Sequence, residues 1–312
     1  MHIDVNNAFL SWSAVDLLKQ GFKYDIRNSY AVIGGDEEKR HGVVLAKSNP
    51  CKKLGIVTGE SLYSARKKCP SLKIYPPNLK MYQYYSNQLF NLLSKYTPDI
   101  EVFSIDECFI DYSKVKKLHG DELEFAYKIK DEIKKELGFT VNIGIGNNKL
   151  CAKMASEFEK PDKVHTLYMH EIEDKLWPLP IEELLWIGKK TSVKLRELNI
   201  NTIGDLAKAN HNELFKYFKN QAIKMIESAC GIDDSEVVTT YVDPKSISNS
   251  TTLPYDYTDK KEIYKVIGEL AEKVGISLRK QQKYCNVVAI IIRDKYFHNY
   301  SHQIKLKNAT NL

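Results

Sequence analysis

Residues 100–112 read Ile100-Glu101-Val102-Phe103-Ser104-Ile105-Asp106-Glu107-Cys108-Phe109-Ile110-Asp111-Tyr112. Apolar residues on both sides of Ser104-Ile105-Asp106-Glu107 predict two short strands joined around Asp106-Glu107. Carboxylates in so apolar a hairpin are costly unless solvated, paired or bound to a metal ion. Consecutive strand residues point to opposite faces, so Asp106 and Glu107 can serve one site only where the backbone turns, which a hairpin provides. Plain turn residues are the competing reading. A third carboxylate, Asp4, lies in an apolar strand start at residues 2–5. Carboxylate oxygens are hard donors that suit Mg2+, and two such ions roughly 3.5–4 Å apart can serve an in-line phosphoryl transfer.

Outward from this hairpin, β-like and helical patterns alternate. A helix is predicted from about residue 8 to 20, closed by Gly21. Runs at 30–33 and 43–46 flank Gly34-Gly35-Asp36 and predict a hairpin. A helix follows at about 61–68. After the break at Pro76-Pro77, Tyr82, Tyr85, Leu89, Leu92 and Tyr96 fall at helical spacing. Such a stripe can stack on bases, but a core face is the plainer reading. A helix at 125–136, a strand at 140–144 and a helix at 148–158 stopped by Pro161 complete an α/β or α+β layer domain. Residues 168–232 are almost wholly helical. A polar linker at 233–250 then leads to a β-like start, a helix at 260–281 and a strand at 286–293.

The chain has 312 residues, 43% hydrophobic and 28% charged, which excludes a disordered or fibrous protein. Its longest apolar run, Val287 to Ile292, is far short of a bilayer span, and the start MHIDVNNAFL carries no secretory signal. These features predict a cytoplasmic protein with no membrane partner. The six cysteines form no metal-ligand spacing and are expected to be reduced and structural. Residues 241–312 hold 12 Lys+Arg against 7 Asp+Glu, +5 of the net +6, which marks the C-terminal piece as the part that meets a polyanion.

Ser104-Ile105-Asp106-Glu107, after an opening Ile3-Asp4-Val5 and before Glu159-Lys160-Pro161, resembles the Y-family translesion DNA polymerases of the DNA polymerase IV and UmuC type, in the Gram-positive bacterial branch. The resemblance runs in order through nearly the whole chain. It implies an α+β multidomain, right-hand polymerase: palm at 1–16 and 77–167, small fingers at 17–76, helix-hairpin-helix thumb at 168–233, and a partial little finger at 241–312. It implies Asp4, Asp106 and Glu107 as catalytic carboxylates that, with the Val5 carbonyl, hold two Mg2+. Asn6 stands where many relatives carry a second aspartate. Phe9 aligns with the steric gate against ribonucleotides, Lys52 and Asn49 with the fingers residues that hold the triphosphate, and Lys160 with a second triphosphate cation. A lysine near a helix end also has the plain reading of dipole stabilisation.

Leu184-Leu185-Trp186-Ile187-Gly188-Lys189-Lys190-Thr191 resembles the turn of a helix-hairpin-helix, with Trp186 in place of the usual first glycine. Gly188, Lys189, Lys190 and Thr191 would contact DNA phosphates, and an ordinary αα-hairpin is the plainer alternative. The little finger of the family continues past this pattern with a further helix and strand. The implied activity is addition of deoxynucleotides to a primer 3′-end opposite damaged template, with low fidelity and no proofreading. Its implied partners are primer-template DNA, deoxynucleoside triphosphates and, through a C-terminal segment, the sliding clamp; the expected state is a monomer.

Two alternatives stand beside it. Gly34-Gly35-Asp36-Glu37-Glu38 superficially resembles the diguanylate cyclase signature but ends in Glu where Phe is expected. A catalytically inert DNA-binding regulator that retains the polymerase shell is the other.

Overall fold

A computed structural model describes residues 1–38, 42–240 and 243–311. Residues 241, 242 and 312, the ends of the expected little finger, therefore lie outside the described residues, as do 39–41 between the two runs of the expected hairpin.

The first 75 residues contain β1 (His2–Val5), α1 (Ala8–Lys19), β2 (Ala31–Gly34), β3 (Val44–Lys47), α2 (Asn49–Lys53), α3 (Leu62–Lys68) and β4 (Lys73–Tyr75). The next stretch contains α4 (Leu79–Leu93), β5 (Ile100–Val102), β6 (Glu107–Ile110), α5 (Lys116–His119), α6 (Glu122–Leu137), β7 (Val141–Gly146), α7 (Lys149–Glu157) and β8 (Val164–Leu167). Then come α8 (Lys189–Glu197), α9 (Ile203–Ala207), α10 (His211–Phe218), α11 (Gln221–Ala229), α12 (Lys260–Lys280), β9 (Cys285–Arg293) and β10 (Asn299–Thr310).

A five-stranded sheet in the order β5-β6-β1-β7-β8 carries the hairpin quoted above. Its neighbours are antiparallel except β7 and β8. The period of two sorts its side chains. Ile3, Val5, Cys108, Ile110, Val141, Ile143 and Ile145 form one buried face, joined by Trp12 of α1, Tyr82, Tyr85, Leu89 and Leu92 of α4, and Phe125, Ile129 and Ile133 of α6. The Tyr/Leu stripe is thus core. Helix α6 starts at Glu122 rather than 125, because Asp121 caps it by accepting the Leu123 and Glu124 N–H groups.

The opposite face carries His2, Asp4, Glu107, Asn142 and Gly144, and α7 lies on it. The approach is so close that a Cβ on Gly144 would sit 2.5 Å from the Ser156 amide nitrogen and closer still to the Ala152 carbonyl oxygen. Only glycine lets the helix backbone come down this far. The other side of α7, through Leu150, Cys151, Met154 and Ala155, belongs to a second core with Leu167, Ile172, Leu176, Ile181, Leu195, Ile203 and Leu214 of the helical region.

A three-stranded sheet, β3-β2-β4, pairs β2 with β3 antiparallel and with β4 parallel. One side packs Val32 and Val44 under α2 and α3, and the other packs Ala31, Ile33 and Ala46 on Leu10 and Ala14 of α1. Gly34 closes β2 here, so the Gly34-Gly35 pair belongs to the β2–β3 connection, in a different sheet from the carboxylates.

Four differences from the expected elements stand out. Strands β4 and β8, three and four residues long, are not among the expected elements. Helix α7 ends at Glu157, so Lys160 lies in the loop beyond the helix rather than at its end. Residues 251–259 form no strand. Residues 299–310 turn back as β10 and pair antiparallel with β9, Asn299 opposite Arg293 and Lys305 opposite Val287.

Candidate active site

Strand register sets the centre of the site. Asp4 of β1 stands directly opposite Glu107 of β6, which puts both side chains on the face beneath α7. Asp106 precedes β6 in the turn, and its carbonyl accepts the Val5 N–H at 3.0 Å. The Ser104 hydroxyl donates to Asp106 Oδ1 at 2.7 Å, accepts the Asp106 N–H at 3.3 Å and lies 3.4 Å from Glu107 Oε1. The turn therefore brings Asp106 and Glu107 to one corner, through a serine.

Cations already stand at this corner. Lys153, one helical turn before the end of α7 and 12% exposed in its side chain, pairs with Glu107 Oε2. The His2 imidazole meets the same oxygen through Nε2 at 3.0 Å, while its Nδ1 meets Ser156 Oγ at 2.8 Å. Lys160 pairs with Asp4 Oδ2 and with Glu157 at 2.8 Å. Burial works against the Glu107 anion, but the hydrogen bonds from His2 and Lys153 and the Lys153 charge prevail and bring its carboxyl down to about 2. Burial pushes the Asp4 carboxyl up to about 6 in spite of Lys160 beside it. Burial also lowers the His2 imidazole below its ordinary value.

The loop that delivers Lys160 hangs from two asparagines. Asn6 donates from Nδ2 to Asn142 Oδ1 at 3.0 Å and accepts the Asp162 N–H at 2.9 Å. Asn142, fully buried, donates to the Glu159 carbonyl at 2.6 Å and the Ser156 carbonyl at 3.0 Å. Asp162 is clamped by Lys130 at 2.9 Å and Lys134 at 2.6 Å. Asn6 thus serves as a strut between the sheet and the Lys160 loop, work that an amide does with its donor and acceptor together.

Phe9, half-buried on α1, stacks on the Tyr82 ring with centroids 4.5 Å apart and planes 6° apart. Asn49 and Lys52 are exposed on α2, whose N-terminus is capped by Ser48 with Pro50 in the first turn. Asn7 donates to the Lys47 carbonyl at 2.6 Å and ties β3 to the start of α1. In the helical region, Gly188 is the N-cap of α8, which has no side-chain cap; Lys189 and Lys190 are exposed and Thr191 is half-buried.

The structure brings Asp4, Asp106, Glu107 and Lys160 together and leaves Asn49 and Lys52 without a hydrogen bond to the carboxylates among the described residues. Among those residues no group of three His, Cys, Asp or Glu side chains converges closely enough to hold a metal ion as they stand. The donor chemistry nonetheless fits a hard divalent cation: three carboxylates at one corner, two of them drawing ammonium groups. Sequence reading missed His2, Lys153, Ser156 and Asn142. Only His2 left a signal, since alternation in β1 puts it on the face of Asp4, and an imidazole in so apolar a strand needs a partner.

A family model described as impB/mucB/samB family matches residues 3–157, and one described as the C-terminal domain of that family matches 244–312. A DNA polymerase IV of Clostridium acetobutylicum is 55% identical over 309 residues, 99% of this chain and 78% of that protein. One from Acetivibrio thermocellus is 34% identical over 314 residues, 100% of this chain and 77% of that protein. Among solved structures, a Y-family DNA polymerase chimera of Dbh and Dpo4 has a TM-score of 0.83 at 25% identity, covering 99% of this chain and 88% of that one. A Dbh ternary complex has a TM-score of 0.67 at 26% identity, covering 99% and 88%.

Proposed function

The chain belongs to the impB/mucB/samB family, the Y-family DNA polymerases of the DNA polymerase IV kind, and on that premise we propose which of its residues carry DNA synthesis. It is a translesion DNA polymerase whose substrates are DNA and deoxynucleoside triphosphates. No helix among the described residues is long and apolar enough to cross a membrane. No observation favours the inert regulator or the cyclase.

We assign the palm to 1–16 and 77–167, the fingers to 17–76, the thumb to 168–233 and the little finger to 241–312. Asp4, Asp106 and Glu107, with the Val5 carbonyl, are the ligands for two Mg2+. Ions held there would supply Lewis-acid activation of a primer 3′-hydroxyl and neutralisation of charge on the departing pyrophosphate. The protein's own part is to hold the charges in place. Glu107 stays ionised between His2 and Lys153, and Ser104 keeps Asp106 turned to the same corner. Lys160 supplies a point charge for the triphosphate from a loop fixed by Asn6 and Asn142. Lys52 and Asn49 meet the triphosphate from the fingers, and Phe9, braced by Tyr82, blocks a 2′-hydroxyl.

The turn before α8 holds DNA by its backbone. Gly188 has an ordinary negative φ, and a Cβ there would meet nothing within 4 Å, so neither conformation nor packing calls for glycine. Close approach of a phosphate to the open N–H groups of Gly188, Lys189, Lys190 and Thr191 does call for it. The +5 C-terminal piece adds phosphate contacts. The protein works as a monomer in the cytoplasm, with a sliding clamp recruited through a C-terminal peptide.

The observation that carries this assignment is the pairing of Asp4 with Glu107 across β1 and β6, with Asp106 held beside them. The test is primer extension on undamaged and abasic templates with Mg2+ at low salt. Asp106→Ala and Glu107→Ala are expected to abolish extension while DNA binding persists. Normal turnover in either variant overturns the assignment.

A further inference from the structure

Leu184 to Ile187 form a turn closed by the Ile187 N–H on the Leu184 carbonyl at 2.9 Å. Its third residue, Trp186, has φ 72°, the left-handed conformation that the third position of a type II turn requires and that glycine meets without strain. A bulky residue is a rare occupant of this region. The side chain gains nothing from the fold in return. Trp186 is 76% exposed, and its ring makes no aromatic or cation–π contact among the described residues. The other two tryptophans are used by the fold: Trp12 is fully buried, and Trp177 donates its indole N–H to the Ala229 carbonyl at 3.0 Å.

The surroundings show what such a ring can meet. Lys189, Lys190 and the 53% exposed Val193 share an open surface beside the start of α8. Exposed Trp186 and Val193 flank Lys189 and Lys190 along the chain through the start of α8, so apolar side chains stand on either side of two ammonium groups in sequence. A DNA strand offers that alternation, with charged phosphates between apolar sugar faces. A backbone-only grip answers to the phosphates alone, and its strength falls steeply with salt.

We propose that Trp186 is a DNA-contacting residue, its indole lying against the sugar face of the strand whose phosphate sits at Gly188–Lys190. This rests on the reading of that turn as a DNA-phosphate site and adds to it an apolar contact independent of counterion release. The conformational cost of tryptophan at a glycine position is thereby exchanged for grip on DNA.

The test uses the full 312-residue chain and a primer-template duplex. Tryptophan emission of the wild type is expected to shift on DNA binding, since Trp12 is buried and Trp177 half-buried with its indole N–H bonded to Ala229, and the shift is expected to vanish in Trp186→Gly. Trp186→Gly is expected to bind DNA roughly tenfold more weakly, the size of one lost aromatic contact, with the slope of log affinity against log salt unchanged. Its Tm is expected to match or exceed the wild type, because glycine relieves the turn. Trp186→Phe should restore affinity, and Lys189→Ala should lower the salt slope instead. Wild-type affinity in Trp186→Gly, or a flattened salt slope, refutes the stacking role alone. Failure of the wild type to bind the duplex refutes the phosphate-site reading as well.

Discussion

Gly144→Ala tests the contact on which the site is built. The new methyl group would meet the backbone of α7 at Ala152 and Ser156, and backbone cannot swing aside as a side chain would. Overpacking of this kind costs about 1–3 kcal/mol, and a backbone clash belongs at the upper end, about 3 kcal/mol. Against this, alanine restricts the unfolded chain and returns about 0.4–1 kcal/mol. The net loss is about 2 kcal/mol, which for a chain of 312 residues lowers Tm by roughly 3 °C. Activity should fall further than stability. Lifting α7 carries Lys153 and Ser156 away from Glu107 and His2, and a misplacement of about 1 Å at a reacting centre can cost roughly a hundredfold in rate. Calorimetry and single-nucleotide primer extension, run below the melting range of the variant, separate the two effects. An unchanged Tm with unchanged extension would refute the claim that the glycine seats the helix.

Phe9→Ala is expected to admit ribonucleotides in primer extension with matched ribo- and deoxynucleoside triphosphates, and to forfeit about 1 kcal/mol of aromatic stacking on Tyr82. An unchanged sugar preference would remove its role as gate. Burial opposes the Asp162 anion, but Lys134 and Lys130 prevail and hold its carboxyl below the ordinary value of 3.8. A depressed carboxylate adds stability that is present above its unfolded value and lost as pH falls through the folded one. Asp162→Asn, which keeps a residue tolerant of the left-handed backbone found there (φ 64°), should therefore be less stable than wild type near neutrality. The difference should shrink as pH drops below about 4, and denaturant melts showing a constant gap from pH 3 to 7 would contradict it.

The hairpin at 100–112 was legible because its apolar flanks and its carboxylates conflict unless the backbone turns between them. The Tyr82 to Leu92 stripe was legible for the opposite reason, since period and burial agree. What escaped reading depends on contacts between distant residues. His2 and Lys153 reach Glu107 across 105 and 46 positions in sequence, and nothing local to either says which carboxylate it will meet. That meeting is decided by Gly144, whose missing side chain admits α7. Lys160 was assigned to a helix end because Pro161 reads as a stop; the helix in fact ends three residues sooner, and Asn6 and Asn142 hold the intervening loop. Asn6 could be read as a departure from relatives but not as a strut, because its partners at 142 and 162 come together only once β1 and β7 have paired.

Helix α7 also bears on where this protein can be divided. Its lower side supplies Lys153 and Ser156 to the carboxylate corner, and its upper side supplies Leu150, Cys151, Met154 and Ala155 to the core of the helical region. Asn148 and Cys151 bond the Gly231 carbonyl, and Asp233 accepts the Leu150 N–H, so the far end of the helical region closes on the same helix. An excision at residue 168 would strip that core of one wall. In amide exchange, α7 and α8–α11 should therefore open as one cooperative unit. A crossover between relatives placed from the end of α7 to residue 233 would separate two halves of that buried surface and is expected to cost stability.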